Sequence, residues 1–262
     1  MTGKTSPISN ESVWQRIRVP ALYVVSIAAG LLIWQLIAQQ YEAFVLAPPS
    51  AVLARLVAST LDGSLPLAVA ASARHALLGL LIATALAVPL GMLIGRRPFL
   101  YDLLNPLFTV IYSVPPIAWV PVIIVWFGLF FEARVAVVVL MVFFDMLFIV
   151  IEGVRNVDRQ LISVGRSFGA GRRALVRLVL IPATLPFLFA ALRAGIIRAV
   201  NAMVTAELFL ASINLGAIMT QASAHFDSAT VLAVILILSL LGLVLQEIVL
   251  LAERRICKWI PR

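Results

Sequence analysis

The stretch ALLGLLIATALAVPLGMLIG, from Ala76 to Gly95, contains no charged side chain. A bilayer hydrocarbon core of roughly 30 Å needs about 20 apolar residues of helix to cross it, so this segment reads as a transmembrane helix. Working outward, further runs with few or no charges occupy 20–38, 106–128, 135–151, 185–207 and 229–251. Hydrophobic residues make up 63% of the 262 positions and charged ones 12%, too few to keep a soluble domain of this size wet. The pattern predicts an all-α fold, a polytopic membrane helical bundle with about six transmembrane helices over 20–251, preceded by a segment 1–19 and followed by a tail 252–262. The run at 20–38 is long for a signal peptide and more spans follow it, so it reads as retained.

The net charge of +8 is unevenly placed. Lys4, Arg16, Arg18, Arg96, Arg97, the arginines of 152–184, and Arg254, Arg255, Lys258 and Arg262 all fall on one side of the predicted bundle. Arg55, Arg74 and Arg134 fall on the other, with Arg193 and Arg198 inside the 185–207 run. The positive-inside rule then puts both termini and the 152–184 loop in the cytoplasm, where the basic excess meets anionic membrane lipid rather than nucleic acid. Cys257 is the single cysteine, which rules out an intrachain disulfide and a cysteine-rich metal site. His75 and His225 lack partners at ligand spacing, so neither a metal nor a cofactor is expected in this chain.

Between the first two runs, Leu46-Ala47-Pro48-Pro49-Ser50 reads as a turn and Ala51 to Asp62 as a short amphipathic helix on the outer surface. Gly91 and Gly95 form a small-xxx-small step that suits close helix packing within the chain. Pro115, Pro116 and Pro121 interrupt the 106–128 run, which makes it either a pore wall or a kinked packing element. At about 100° per residue, Arg198, Asn201 and Thr205 share one stripe of the 185–207 helix. Intramembrane charge faces protein or water, so Arg198 either meets a polar solute or pairs with Asp145 of the 135–151 run. Trp119 and Tyr112 either line a path beside Pro115 and Pro116 or belong to the core and the interface belt. The candidate path residues are thus Pro115, Pro116, Trp119, Asp145, Arg198, Asn201 and Thr205. Arg193 and Glu207, nearer the helix ends, are expected to snorkel to the interface.

The segment EGVRNVDRQLISVGRSFGAGRRALVRLVLIPATLP, Glu152 to Pro186, is too well patterned to be a slack linker. Leu161, Val164 and Phe168 recur at helical spacing, Gly169-Ala170-Gly171 breaks the helix, and Leu175, Leu178, Val179 and Pro182 begin another apolar face. Two short helices meeting at a glycine would make a rigid knob. No Lys-Ser/Thr follows the glycines and no strand precedes them, so this is not a nucleotide-phosphate loop.

Here the residues resemble a family, the binding-protein-dependent ABC importer permeases. Their cytoplasmic signature is Glu-Ala-Ala, three residues, Gly, nine residues, then Ile-x-Leu-Pro. This chain has Ser163-Val164-Gly165, three residues, Gly169, nine residues, then Val179-Leu180-Ile181-Pro182. The Glu-Ala-Ala is absent, so the role of its glutamate does not pass to Ser163. Ala47-Pro48-Pro49-Ser50-Ala51-Val52, Ser113 to Pro121 (SVPPIAWVP), Trp126-Phe127-Gly128 and Ala206-Glu207-Leu208 are similar to segments of the nitrate, sulfonate and taurine branch, which also includes vitamin and vitamin-precursor permeases.

The resemblance implies a type I ABC importer permease architecture in the bacterial inner membrane. Two permease chains, as a homodimer, would form a path between an extracytoplasmic solute-binding protein and two ABC ATPase subunits that bind ATP and Mg. Ser163, Gly165, Arg166, Phe168, Gly169, Gly171, Arg172 and Pro182 would form the coupling loop to the ATPase. The solute implied is a small anion of the sulfonate, taurine or nitrate kind, or alternatively a vitamin such as riboflavin or a thiamine pyrimidine. Three rival readings remain. An ion-gradient transporter would show inverted repeats and several buried carboxylates. A membrane enzyme would need a nucleophile and base, or a metal cluster, at workable spacing. A structural scaffold would have no use for the patterned loop.

Overall fold

The computed structural model describes residues 11–42, 44–210 and 213–258, without the side chains of 11–21, 159 and 172. Residues 1–10 of the predicted N-terminal segment and 259–262 of the tail, with Lys4 and Arg262, lie outside the described residues, as do the side chains of Arg16, Arg18 and Arg172. Among the described residues, eleven α-helices follow one another: α1 (Glu11–Ala38), α2 (Pro49–Leu61), α3 (Ser64–Gly95), α4 (Pro98–Ser113), α5 (Val120–Phe127), α6 (Phe131–Arg155), α7 (Arg159–Ser167), α8 (Arg172–Leu175), α9 (Ile181–Phe209), α10 (Asn214–Ala224) and α11 (Ser228–Ile256). A 3₁₀ turn, Pro116–Trp119, joins α4 to α5, and a π turn, Val176–Leu180, joins α8 to α9. The described residues contain no strand.

Helices α3, α6 and α9 form the centre of the bundle. Gly79 and Gly91 of α3 lie against Val138 and Val150 of α6, so these two helices run parallel. Gly153 and Gly195 lie against Phe187 and Met146, so α6 and α9 run antiparallel. The Gly91–Gly95 step packs inside the chain: a Cβ on Gly91 would sit 2.8 Å from Val150 Cγ1, and one on Gly95 2.9 Å from the Ile151 carbonyl. Gly91→Val is therefore expected to lower stability by about 1–3 kcal/mol through overpacking. Gly242→Ala on α11, where nothing lies within 4 Å, should be neutral. Thermal unfolding of the two variants in detergent checks this pair.

Among the described residues, four helices, in α3, α6, Arg173–Phe209 and α11, are long and apolar enough to cross a membrane. The described apolar part of α1 is Leu22–Ala38. The 106–128 run is not one helix: α4 and the segment Pro116–Phe127 meet at 88°. Val114 is extended (φ −72, ψ 125) because the ring of a following proline disfavours helical backbone there. The bent pair still crosses the bundle. Arg97 at the head of α4 adjoins the C-terminal end of α3, whereas Phe131 at the head of α6 packs tilted on His75 in the N-terminal half of α3, with ring centroids 4.9 Å apart.

Two further boundaries differ from the sequence reading. Helix α3 begins at Ser64 rather than Ala76, because the break is made by Gly63 at φ +80 and not by Arg74 and His75, which lie within the helix. Helix α9 does not begin near 185: its helical course is continuous from Arg173 to Phe209. The π turn widens the backbone just before Pro182, which lets the continuous helix accommodate the proline ring and its missing N–H.

Candidate translocation path and coupling loop

At the bend between α4 and α5, residues from the bend and its flanking helices converge on a cavity of about 280 Å³. Pro115, Pro116 and Trp119 come from the bend, Tyr112 and Ser113 from α4, Phe144 and Asp145 from α6, and Arg198 from α9. Arg198 Nε donates to Asp145 Oδ2, so the two charges that sequence alone left either paired or solute-facing are in fact paired, and the pair lines the cavity. The Arg198 side chain keeps 39% of its accessible surface and Asp145 14%. The other Asp145 oxygen, Oδ1, is buried with no hydrogen-bond partner among the described residues. Asn201 and Thr205 do not line this cavity: Asn201 is exposed, and the Thr205 hydroxyl bonds back to the Asn201 carbonyl at 2.9 Å.

Glu207 corrects the sequence reading most. It does not snorkel; its side chain is fully buried. The Ser72 hydroxyl donates to Oε2 at 2.8 Å, the Gly216 amide to Oε2 at 3.2 Å and the Asn214 side-chain amide to Oε1 at 3.1 Å. His75 Nδ1 stands 3.3 Å from Oε1. Arg134 Nε donates to His75 Nε2 at 3.3 Å, which leaves the ring proton on Nδ1, facing the carboxylate. The network ties α3, α6, α9 and the head of α10 together at the end of the bundle opposite the 152–184 loop. Its partners lie up to 135 residues apart in sequence, so no spacing rule could find it. Arg193 does not snorkel either; it donates to Glu253 of α11.

At the same end, Arg55 of α2 meets Asp227, the N-cap of α11, at 2.6 Å. Burial pushes the Asp227 carboxyl up, but the Thr230 hydroxyl and amide together with the Arg55 guanidinium hold it below the usual carboxylate range.

At the opposite end the loop is folded, as its pattern predicts. Asp158 caps α7 by accepting from the Gln160 amide at 2.8 Å. Gly169, at φ +76, ends α7 in a Schellman turn: the Ala170 amide reaches the Gly165 carbonyl at 3.1 Å and the Gly169 amide the Arg166 carbonyl at 2.9 Å. Leu175 folds back on Gly165, where a Cβ would meet Leu175 Cδ2 at 2.7 Å. The apolar positions Leu161, Val164, Phe168 and Leu178 face outward, with Phe168 86% exposed. They make an outer face rather than the core of the knob. Ser163 is exposed on α7, Arg166 lies in its last turn, Gly171 precedes α8 and Pro182 sits in the first turn of α9.

Comparisons with known proteins agree with this architecture. The sequence family described as binding-protein-dependent transport system inner membrane component matches residues 87–258. A probable ABC transporter permease protein of Brucella abortus is 33% identical over 241 residues, covering 92% of this chain and 96% of the relative. The taurine transport system permease protein TauC of Escherichia coli is 27% identical, covering 94% of this chain and 92% of its own length. An inward-facing structure of the MetNI methionine ABC transporter superposes with a TM-score of 0.63 at 20% identity, covering 78% of this chain and 99% of that one, and shows the fold. On that family match over 87–258 and a relative 33% identical over nearly the whole length, the chain belongs to the binding-protein-dependent transport system inner membrane components, as a membrane-spanning permease of an ABC importer.

Proposed function

We propose that this permease carries a small anion of the sulfonate, taurine or nitrate kind across the bacterial inner membrane. The carrying observation is the Arg198–Asp145 pair on the wall of the cavity at the Pro115-Pro116 bend. Arg198 donates to Asp145 through Nε and keeps 39% of its side-chain surface accessible, so its guanidinium can still offer N–H donors to a passing sulfonate, carboxylate or nitrate without giving up the carboxylate. The name of the TauC relative supports the same solute class. A second reading is favoured by the rings of Tyr112, Trp119 and Phe144 on the same wall, which suit the flat ring of a vitamin or its precursor.

Two copies of the chain enclose the path, with exposed Asn201 at their seam. The bundle covers 20–251, with both termini and the 152–184 loop on the cytoplasmic side. An extracytoplasmic binding protein delivers the solute, and a separate ABC ATPase, holding ATP and Mg, docks on the outer face of α7. Closure of the ATPase pair pushes the knob at Gly169, and continuity of the helix from Arg173 to Phe209 carries that push to Arg198.

Affinity purification of the tagged chain from mild detergent, with mass spectrometry of its partners, tests this. An ABC ATPase is expected with wild type and is expected to be lost from Gly169→Trp. Space is open around Gly169, so the substitution acts through the left-handed backbone and its bulk at the docking face rather than by disrupting the bundle. Absence of an ATPase under conditions that preserve a known importer complex would sink the proposal. Ligand screening of a copurified binding protein separates the anion from the vitamin.

A further inference from the structure

A cavity lies between the knob and the adjoining end of the bundle. Helix α7 packs chiefly on α8 and the π turn, and a cavity of about 1010 Å³ lies between it and the ends of α3, α4 and α6. Three arginines from different elements line it: Arg96 after α3, Arg155 in the last turn of α6 and Arg166 in the last turn of α7. Asp102 of α4 and Glu152 of α6 line it too. All five are exposed, and none forms an ion pair with another described side chain. Arg155 is steadied by the Tyr101 ring, with its guanidinium carbon 3.7 Å from the centroid. On the same turn of α4, Phe99 and Leu103 are 74% and 54% exposed, an apolar lip beside the charged cavity.

Guanidiniums match a phosphodiester, carboxylates match an ammonium, and an apolar lip at the membrane boundary matches acyl chains. We propose that this cavity is a headgroup site for an aminophospholipid such as phosphatidylethanolamine. The phosphodiester sits among Arg96, Arg155 and Arg166, and the ammonium faces Asp102 and Glu152. The lipid then braces α7 against the ends of α3, α4 and α6, beside the continuous helix that carries the push. Placing the lipid in the cytoplasmic leaflet rests on the orientation proposed above; the binding itself does not.

The test uses the full chain in nanodiscs of phosphatidylcholine doped with either phosphatidylethanolamine or phosphatidylglycerol, released into detergent for native mass spectrometry. Wild type is expected to retain phosphatidylethanolamine over both other lipids. Arg96→Gln/Arg155→Gln is expected to retain roughly fivefold less for each arginine removed, with an unchanged circular dichroism spectrum. Equal retention by wild type and the double variant overturns the site, and no preference among the three lipids overturns the headgroup. Protection of the lipid-free protein from heat by inorganic phosphate or O-phosphoethanolamine to the same extent as by lipid would assign the cavity to a soluble anion instead. Loss of the lipid on adding the copurified ATPase would assign it to that partner. None of these readouts depends on transport, so a failed solute proposal leaves them interpretable.

Discussion

Glu207→Ala is expected to lower the unfolding free energy of the detergent-purified chain by about 2–4 kcal/mol, because it orphans buried donors that have no water to turn to. The Ser72 hydroxyl, the Gly216 amide and the Asn214 amide all point at a carboxylate that is fully shielded. Glu207→Gln retains one acceptor, and its NH₂ can be met on the Oε1 side by turning the Asn214 amide; about half the loss is expected. Thermal unfolding compares the three proteins. An alanine variant within about 0.5 kcal/mol of wild type would show that the network contributes nothing that its surroundings cannot replace. Because the network also holds the head of α10, Asn214→Leu should move stability in the same direction by a smaller amount.

Asp145→Asn and Arg198→Gln, made singly, are each expected to destabilise the fold by about 1–3 kcal/mol and to reduce solute uptake at least tenfold, since each leaves a half-buried charge without its partner. The exposure of Arg198 holds the stability cost below that of a fully buried pair. The double variant separates the two readings of the pair. The two introduced amides remain able to bond to each other, so stability should return to within about 1 kcal/mol of wild type. Uptake should not return, because the guanidinium that meets an anion is gone. Recovery of uptake by the double variant would make the pair a strut between α6 and α9 and move the solute contact elsewhere on the cavity wall.

At the end of the bundle opposite the 152–184 loop, the depressed carboxyl of Asp227 has a pH consequence of definite sign. Its folded-state pKa lies below the ordinary aspartate value of 3.8, so the stability it contributes is complete above that pH and is lost as pH falls through the folded pKa. Asp227→Asn should remove that part of the acid sensitivity, which unfolding measured across the acid range checks.

What the sequence determined by itself was set by composition and short-range pattern. Runs with at most one charge, near 76–95, 135–151 and 229–251, dictate membrane helices because the bilayer admits no unpaired backbone. Gly169 at a fixed distance from Pro182 dictates a capped turn because left-handed backbone and a missing N–H are local properties. Arginine asymmetry likewise distinguishes the two ends of the bundle. Tertiary structure alone decided what lies opposite what. That Pro115-Pro116 turns the chain by 88° rather than merely kinking it depends on how α5 meets α6. Whether Arg198 reaches Asp145, and whether Glu207 is buried among Ser72, His75 and Asn214 or snorkels outward, depends on which faces of α3, α6 and α9 meet. A stripe on one helix states which residues share a face; it does not name the face across from it, because that pairing is set by close contact between residues far apart in the chain.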